Sequence, residues 1–249
     1  MARFYLTGGL RVEGPDGTFV DADLPGGQAR LTLAALVLER RPLARDALAE
    51  LVWDGDVPSQ WSGALSAIVS KIRSLLGRVG LDGSTQLTSV DGAYVLSLPP
   101  DAWVDLEDAY RRLDMAEGAQ RNGRTDQVLA EATAARATLR RPLLAGSYHE
   151  WTLAQRRRQD DALFRCMTLL SGAWIKRGDH QLAASIAASL VELDPLREVG
   201  HRLLMEAEWE RGDRGAALRA FERCERELAD ALGAHPAEET RALATAIRG

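Results

Sequence analysis

Cysteine is nearly absent from this chain, Cys166 and Cys224 being the only two. They stand apart inside helical patterns, with no CxxC pair and no His cluster beside them, which excludes a disulfide framework and a zinc site. Both thiols are expected to be buried and inert. Lysine is almost as scarce. Of 31 basic residues only Lys71 and Lys176 are lysines, a bias that, with the many alanines, fits a GC-rich bacterial genome and says nothing of mechanism. The four histidines, His149, His180, His201 and His235, are scattered without HExxH or an i,i+4 partner, so no metal is expected. Apolar runs last only a few residues, far short of the roughly 20 that cross a bilayer. The start, Met-Ala-Arg-Phe-Tyr-Leu, lacks a signal-peptide layout. A cytoplasmic location with no membrane partner is therefore expected.

Motifs for catalysis are missing as well. There is no GxGxxG after a strand, no GxxxxGK[ST] and no GxSxG, which removes the phosphate cradle and the nucleophile elbow. Paired carboxylates such as Asp160-Asp161 and Glu238-Glu239 look like solvated faces or caps. Neither an enzyme nor a cofactor is expected. A strongly basic half is absent too: the net charge is -5, and residues 1 to 100 hold nine basic and eleven acidic side chains. Any phosphate binding must come from a local patch, not from a global field.

What is present is enough hydrophobic content, 46% beside 27% charged, for two compact domains in 249 residues. Short strands are expected at 3 to 7, 10 to 13 and 18 to 20, with helices at about 28 to 40 and 45 to 52. The most informative stretch runs from Trp61 to Leu98: an amphipathic helix, a Gly-containing loop and two β-type runs around Asp91-Gly92. Leu65, Val69, Ile72 and Leu76 recur at helical spacing, widened by Ile68 and Leu75, so one face is built for burial. The other face carries Ser66, Ala67, Ser70, Lys71, Arg73 and Ser74. Small polar groups and two cations suit a helix lying in a major groove, where bulk would prevent close approach. The order β-β-β-α-α-α-β-β is that of a winged helix-turn-helix, and Pro99-Pro100 marks its end.

From Asp101 onward the pattern is helical, with helices expected at about 104 to 121, 125 to 140 and 150 to 176. Arg177-Gly178-Asp179 recurs as Arg211-Gly212-Asp213, an offset of 34 residues, which is the tetratricopeptide (TPR) period. Aligned on that offset, Ala183 matches Ala217 and Ala187 matches Phe221. An irregular helical bundle with an accidental echo is the plainer alternative. Arg156-Arg157-Arg158 is the densest basic cluster, read as a solvated ion-paired face or, more sharply, as an anion contact. Trp151, Trp174 and Trp209 are read as core.

Together these residues resemble the bacterial regulators that join an OmpR-like winged helix to a bacterial transcriptional activator domain, best known from Streptomyces antibiotic regulatory proteins (SARPs). The resemblance rests on Gln28-Ala29-Arg30-Leu31, Leu48 to Trp53 with Asp54-Gly55 and Pro58, Val69-Ser70-Lys71-Ile72-Arg73 with Leu76-Gly77, and Ala231-Leu232-Gly233 with Pro236, Glu239 and Arg241. It implies an α+β winged helix over 1–98 followed by an all-α TPR-like activator domain over 101–249. It further implies a regulator, an activator by preference, that binds double-stranded promoter DNA and contacts RNA polymerase or an effector, with a homodimer on DNA as one arrangement.

On this chain the resemblance nominates Ser66, Ala67, Ser70, Lys71 and Arg73 for the groove. Arg73 is suited to bridging phosphates or reading guanine, beside the alternative of an ordinary solvent-facing arginine. Gln28 and Arg30, at a helix N-terminus, suit a phosphate or a surface cap. Two features depart from the family: where its members usually carry Gly-Tyr-Arg after the wing turn, this chain reads Gly92-Ala93-Tyr94-Val95-Leu96, with no Lys or Arg from Leu81 to Ala102, and Ile68 stands where such regulators often have a polar residue. A scaffold or sensor with a degenerate winged helix, binding a protein or small ligand through its repeats, is the competing reading.

Overall fold

The computed structural model describes all 249 residues and divides into two compact units, residues 1–109 with 138–160 and residues 110–137 with 161–249. The first unit opens with β1 (Arg3–Tyr5), β2 (Arg11–Gly14) and β3 (Gly17–Val20), then α1 (Gly26–Glu39), β4 (Leu43–Ala44), α2 (Arg45–Trp53), α3 (Trp61–Arg78), α4 (Gly83–Gln86), β5 (Leu87–Val90), β6 (Ala93–Leu96) and β7 (Trp103–Val104). Strands and helices fall where the sequence places them to within two residues. The short pieces β4, α4 and β7 have no signal of their own.

Four strands form a sheet in the order β3-β2-β1-β7, antiparallel except for the parallel pair β1 and β7. Phe4, Val12, Phe19 and Val104 align across it in register and are all buried, since alternate residues of each strand face the same side. Because β7 follows Pro99-Pro100, the sheet is completed by residues beyond the expected end of the first domain. Asp105, fully buried, locks this junction. Its carboxylate accepts from the Leu6 and Thr7 backbone N–H groups, each at 3.0 Å, and from the Thr7 hydroxyl at 2.7 Å. Residues 142 to 145 run beside the end of β1, with Leu144 donating to the Leu6 carbonyl and Gly8 donating to that of Pro142.

The helices that follow are α5 (Asp105–Arg121), α6 (Thr125–Leu139), α7 (Glu150–Arg177), α8 (His180–Leu193), α9 (Glu198–Glu210), α10 (Arg214–Leu232) and α11 (Glu238–Arg248). In the second unit α8 packs on α9, α9 on α10, and α11 on both α9 and α10. The two Arg-Gly-Asp segments build the same turn twice. Gly178 and Gly212 take φ of 85° and 82°, where a side chain would be strained. Asp179 then caps α8 through the Leu182 N–H, and Asp213 caps α10 through the Ala216 N–H. Ala183 and Ala217, the paired small residues, are both fully buried, so a helix can approach each closely. This is a stacked helix-turn-helix repeat of TPR type.

Several side chains differ from their expected roles. Arg156 is not a solvated ion pair: its guanidinium donates to the Leu143 and Leu144 carbonyls, holding the turn that precedes α7. Arg157 and Arg158 are exposed. Trp209 is 39% exposed, not core, and Trp151 is half-buried and donates to Glu39, whereas Trp174, half-buried, does pack against the core cluster of Ala183, Ala184 and Ala207.

Candidate nucleic-acid interface

The α3 helix exists because its apolar residues recur every three or four positions. Leu65, Val69, Ile72, Leu75 and Leu76 are buried where it packs against α1 and α2. Two glycines let the backbone around it close in. A Cβ on Gly83 would lie 2.2 Å from the Arg73 carbonyl oxygen, and one on Gly14 would lie 2.1 Å from that of Val79, so both ends of the helix's second half are seated against neighbouring main chain. The opposite face is bare: Ser62, Gly63, Ala64, Ser66, Ala67, Ser70, Lys71 and Ser74 are all exposed. Of the expected groove residues, Ser66, Ala67, Ser70, Lys71 and Ser74 therefore share one accessible surface.

Arg73 stands apart from them. It is half-buried, and its Nε donates to the Leu87 carbonyl at 2.7 Å, tying α3 to the first strand of the wing. The plain alternative of a free solvent-facing arginine is thereby removed. Arg78, at the end of α3, pairs with Asp23 at 3.3 Å. The Val20 N–H, then Arg78 and Lys71, hold the Asp23 carboxyl below its ordinary range. Asp23 thus partly offsets the positive charge of this end of the helix.

The wing is the antiparallel pair β5 and β6, with β4 alongside β6. Asp91 and Gly92 take φ of 49° and 76°, the left-handed conformations that a two-residue hairpin turn with primed geometry needs. Leu43, Leu87, Tyr94 and Leu96 are buried, and no cation lies on either long strand. At the base of the wing Asp82 caps α4, and hydrogen bonds from the Ser84 and Thr85 side chains and backbone lower its pKa.

Gln28 and Arg30 make no hydrogen bond or ion pair with α3 or the wing. Both are half-buried on α1, which starts at Gly26, two residues earlier than its pattern suggests. Arg30 lies 3.7 Å from Asp21 and reaches the Ala145 carbonyl at 3.5 Å. The Gln28 carbonyl accepts from the Thr32 hydroxyl.

One cation at the surface was not singled out from the sequence. Arg45, the first residue of α2, places Nη2 at 3.0 Å from the Ser62 hydroxyl and 2.9 Å from that of Ser66, and it also reaches the Ser62 carbonyl. Its guanidinium carbon is 5.6 Å from the centre of the Tyr94 ring, and its backbone N–H donates to Gly92 in the wing turn. A helix start beside a buried leucine reads as ordinary capping, and only the approach of β4 to β6 reveals where this side chain stands. Elsewhere no cluster of three metal-ligating side chains occurs, and no helix is long and apolar enough to cross a membrane.

Comparison with known proteins agrees with this architecture. The model of the bacterial transcriptional activator domain matches residues 104–248, more than half of the chain. The transcriptional regulatory protein EmbR of Mycobacterium tuberculosis is 30% identical over 248 residues, covering 96% of this chain and 61% of EmbR. The regulatory protein AfsR of Streptomyces coelicolor is 29% identical over 242 residues, 94% of this chain and 23% of AfsR. A solved structure of M. tuberculosis EmbR in complex with a low affinity phosphopeptide superposes with a TM-score of 0.87 at 27% identity, over 99% of this chain and 65% of that one. The chain thus spans about three fifths of the length of its EmbR relatives. It belongs to the SARP family of bacterial transcriptional regulators, defined by the bacterial transcriptional activator domain.

Proposed function

We propose that this chain binds double-stranded promoter DNA in the cytoplasm, with residues 1–98 supplying the winged helix and α3 lying in the major groove. The observation that carries this reading is the exposed face of α3: five of the nominated residues, Ser66, Ala67, Ser70, Lys71 and Ser74, are small or cationic and exposed together beside a hairpin, with Arg45 bound at the Ser62–Ser66 edge. In this reading residues 101–249 contact RNA polymerase or an effector and make the protein an activator, and two copies bind adjacent half-sites. The cation-free wing predicts modest affinity, because each phosphate contact contributes about one unit to the salt slope. Genome-wide occupancy in a host expressing the chain, followed by gel shifts on the recovered promoters, tests the proposal. Sequence-selective, salt-steep binding is expected. A folded, expressed protein that occupies no promoter rejects it and favours the scaffold reading instead.

A further inference from the structure

We infer that Arg45, with the Ser62 and Ser66 hydroxyls, forms a clamp for one backbone phosphodiester of the bound duplex, replacing the cation that the wing lacks. This rests on the promoter-binding reading above. Four cations belong to α3 or stand against it, and their contacts separate them. Arg78 is paired with Asp23, and Arg73 is turned inward onto the Leu87 carbonyl. Lys71 lies on the exposed face itself. Arg45 alone stands at the corner where the start of α3, the wing turn and the start of α2 meet.

The chemistry of that corner fits a phosphate. All three hydrogen bonds that Arg45 makes to α3 come from Nη2, so the guanidinium is fixed in place while Nε and Nη1 make no hydrogen bond. The Nε proton and the two Nη1 protons lie on separate edges of the guanidinium, so each offers a single charge-assisted contact to a phosphate oxygen, since a bidentate fork would need Nη2. The Ser62 Oγ accepts from Arg45 and retains its own proton for donation, whereas the Ser66 hydroxyl already donates to the Ser62 carbonyl. Tyr94 is buried beneath the cation, which limits its motion and favours a fixed orientation over a sweeping side chain. A guanidinium held in advance loses less entropy on binding than a free one. Such a contact positions the helix and carries no sequence information.

The test uses the full chain, a mixed-sequence DNA duplex and a duplex selected from a random pool. Affinity for both is measured across a salt series. Arg45→Gln is expected to lower affinity for both duplexes by about tenfold near 0.1 M salt and to shrink the slope of log K against log salt by about one unit, leaving their ratio unchanged. Arg45→Lys is expected to keep the slope. Ser66→Ala, on the exposed face and away from the core, is expected to weaken binding with the slope retained, because the charge stays while one anchor is lost. A wild-type slope in Arg45→Gln, or a loss confined to the selected duplex, overturns the clamp while leaving promoter binding intact. Failure of the unaltered chain to bind either duplex overturns both.

Discussion

An arginine on a half-exposed helix directs its donors either outward to an anion or inward to a carbonyl, and for Arg73 the inward contact takes Nε. A charge-assisted bond to a carbonyl at a strand start is worth about 1.5–3 kcal/mol when both groups are shielded. Arg73→Ala is therefore expected to lower the stability of the full chain by about 1–2 kcal/mol in urea unfolding, since the group is only half-buried. An unchanged midpoint would show that the tie to Leu87 contributes nothing. The reactivity of the cysteines follows chiefly from their burial. Cys166 donates to the Ala132 carbonyl, and burial pushes its pKa up to about 12, while burial raises Cys224 to about 11. Because the thiolate is the nucleophile, neither should react with iodoacetamide near neutral pH until the protein unfolds. Mass spectrometry after timed alkylation reads this directly, and rapid labelling of the folded chain would contradict the assigned burial.

At the scale of elements, periodicity made α3 and the wing hairpin legible in advance. Leu65, Val69, Ile72 and Leu76 repeat with the helical period, and Asp91-Gly92 has the composition of a two-residue turn. The short pieces were not legible. β4 and α4 are too brief to show a period, and they exist because β6 offers a pairing edge and Asp82 offers a cap. That cap sets a pH dependence. The pKa of Asp82 is lowered in the fold, so its contribution is present above the unfolded value of about 3.9 and is lost as pH falls through the folded one. Protection factors of the Ser84 and Thr85 amides are expected to be constant from about pH 7 to 5 and to drop under more acidic conditions. Protection that persists to about pH 2 would remove Asp82 as the cap. The site divides in the same way. The exposed small-residue face was readable from α3's own spacing, whereas Gln28, Arg30 and Arg45 depend on what α1 and α2 meet in space.

For the molecule as a whole, the two compact units do not coincide with a cut at Pro99-Pro100. Residues 103 to 109 and 138 to 160 belong with the first unit. A fragment of residues 1–98 lacks β7, Asp105 and the segment beside β1, and it leaves the Leu6 and Thr7 N–H groups without their carboxylate. Each orphaned buried donor costs about 1–3 kcal/mol, so the fragment is expected to melt well below the full chain by circular dichroism or to show no cooperative transition. A fragment melting at the full chain's midpoint would place the boundary where the prolines are. The sequence by itself determined the order of elements, the buried and bare faces of α3, the wing turn and the 34-residue repeat, because each of these is written in local spacing and turn chemistry. Only the tertiary structure decided where the first unit ends, which arginines turn inward and which stands beside the wing. Those outcomes depend on pairing edges and carbonyl partners brought together from distant parts of the chain, and local periodicity carries no record of them.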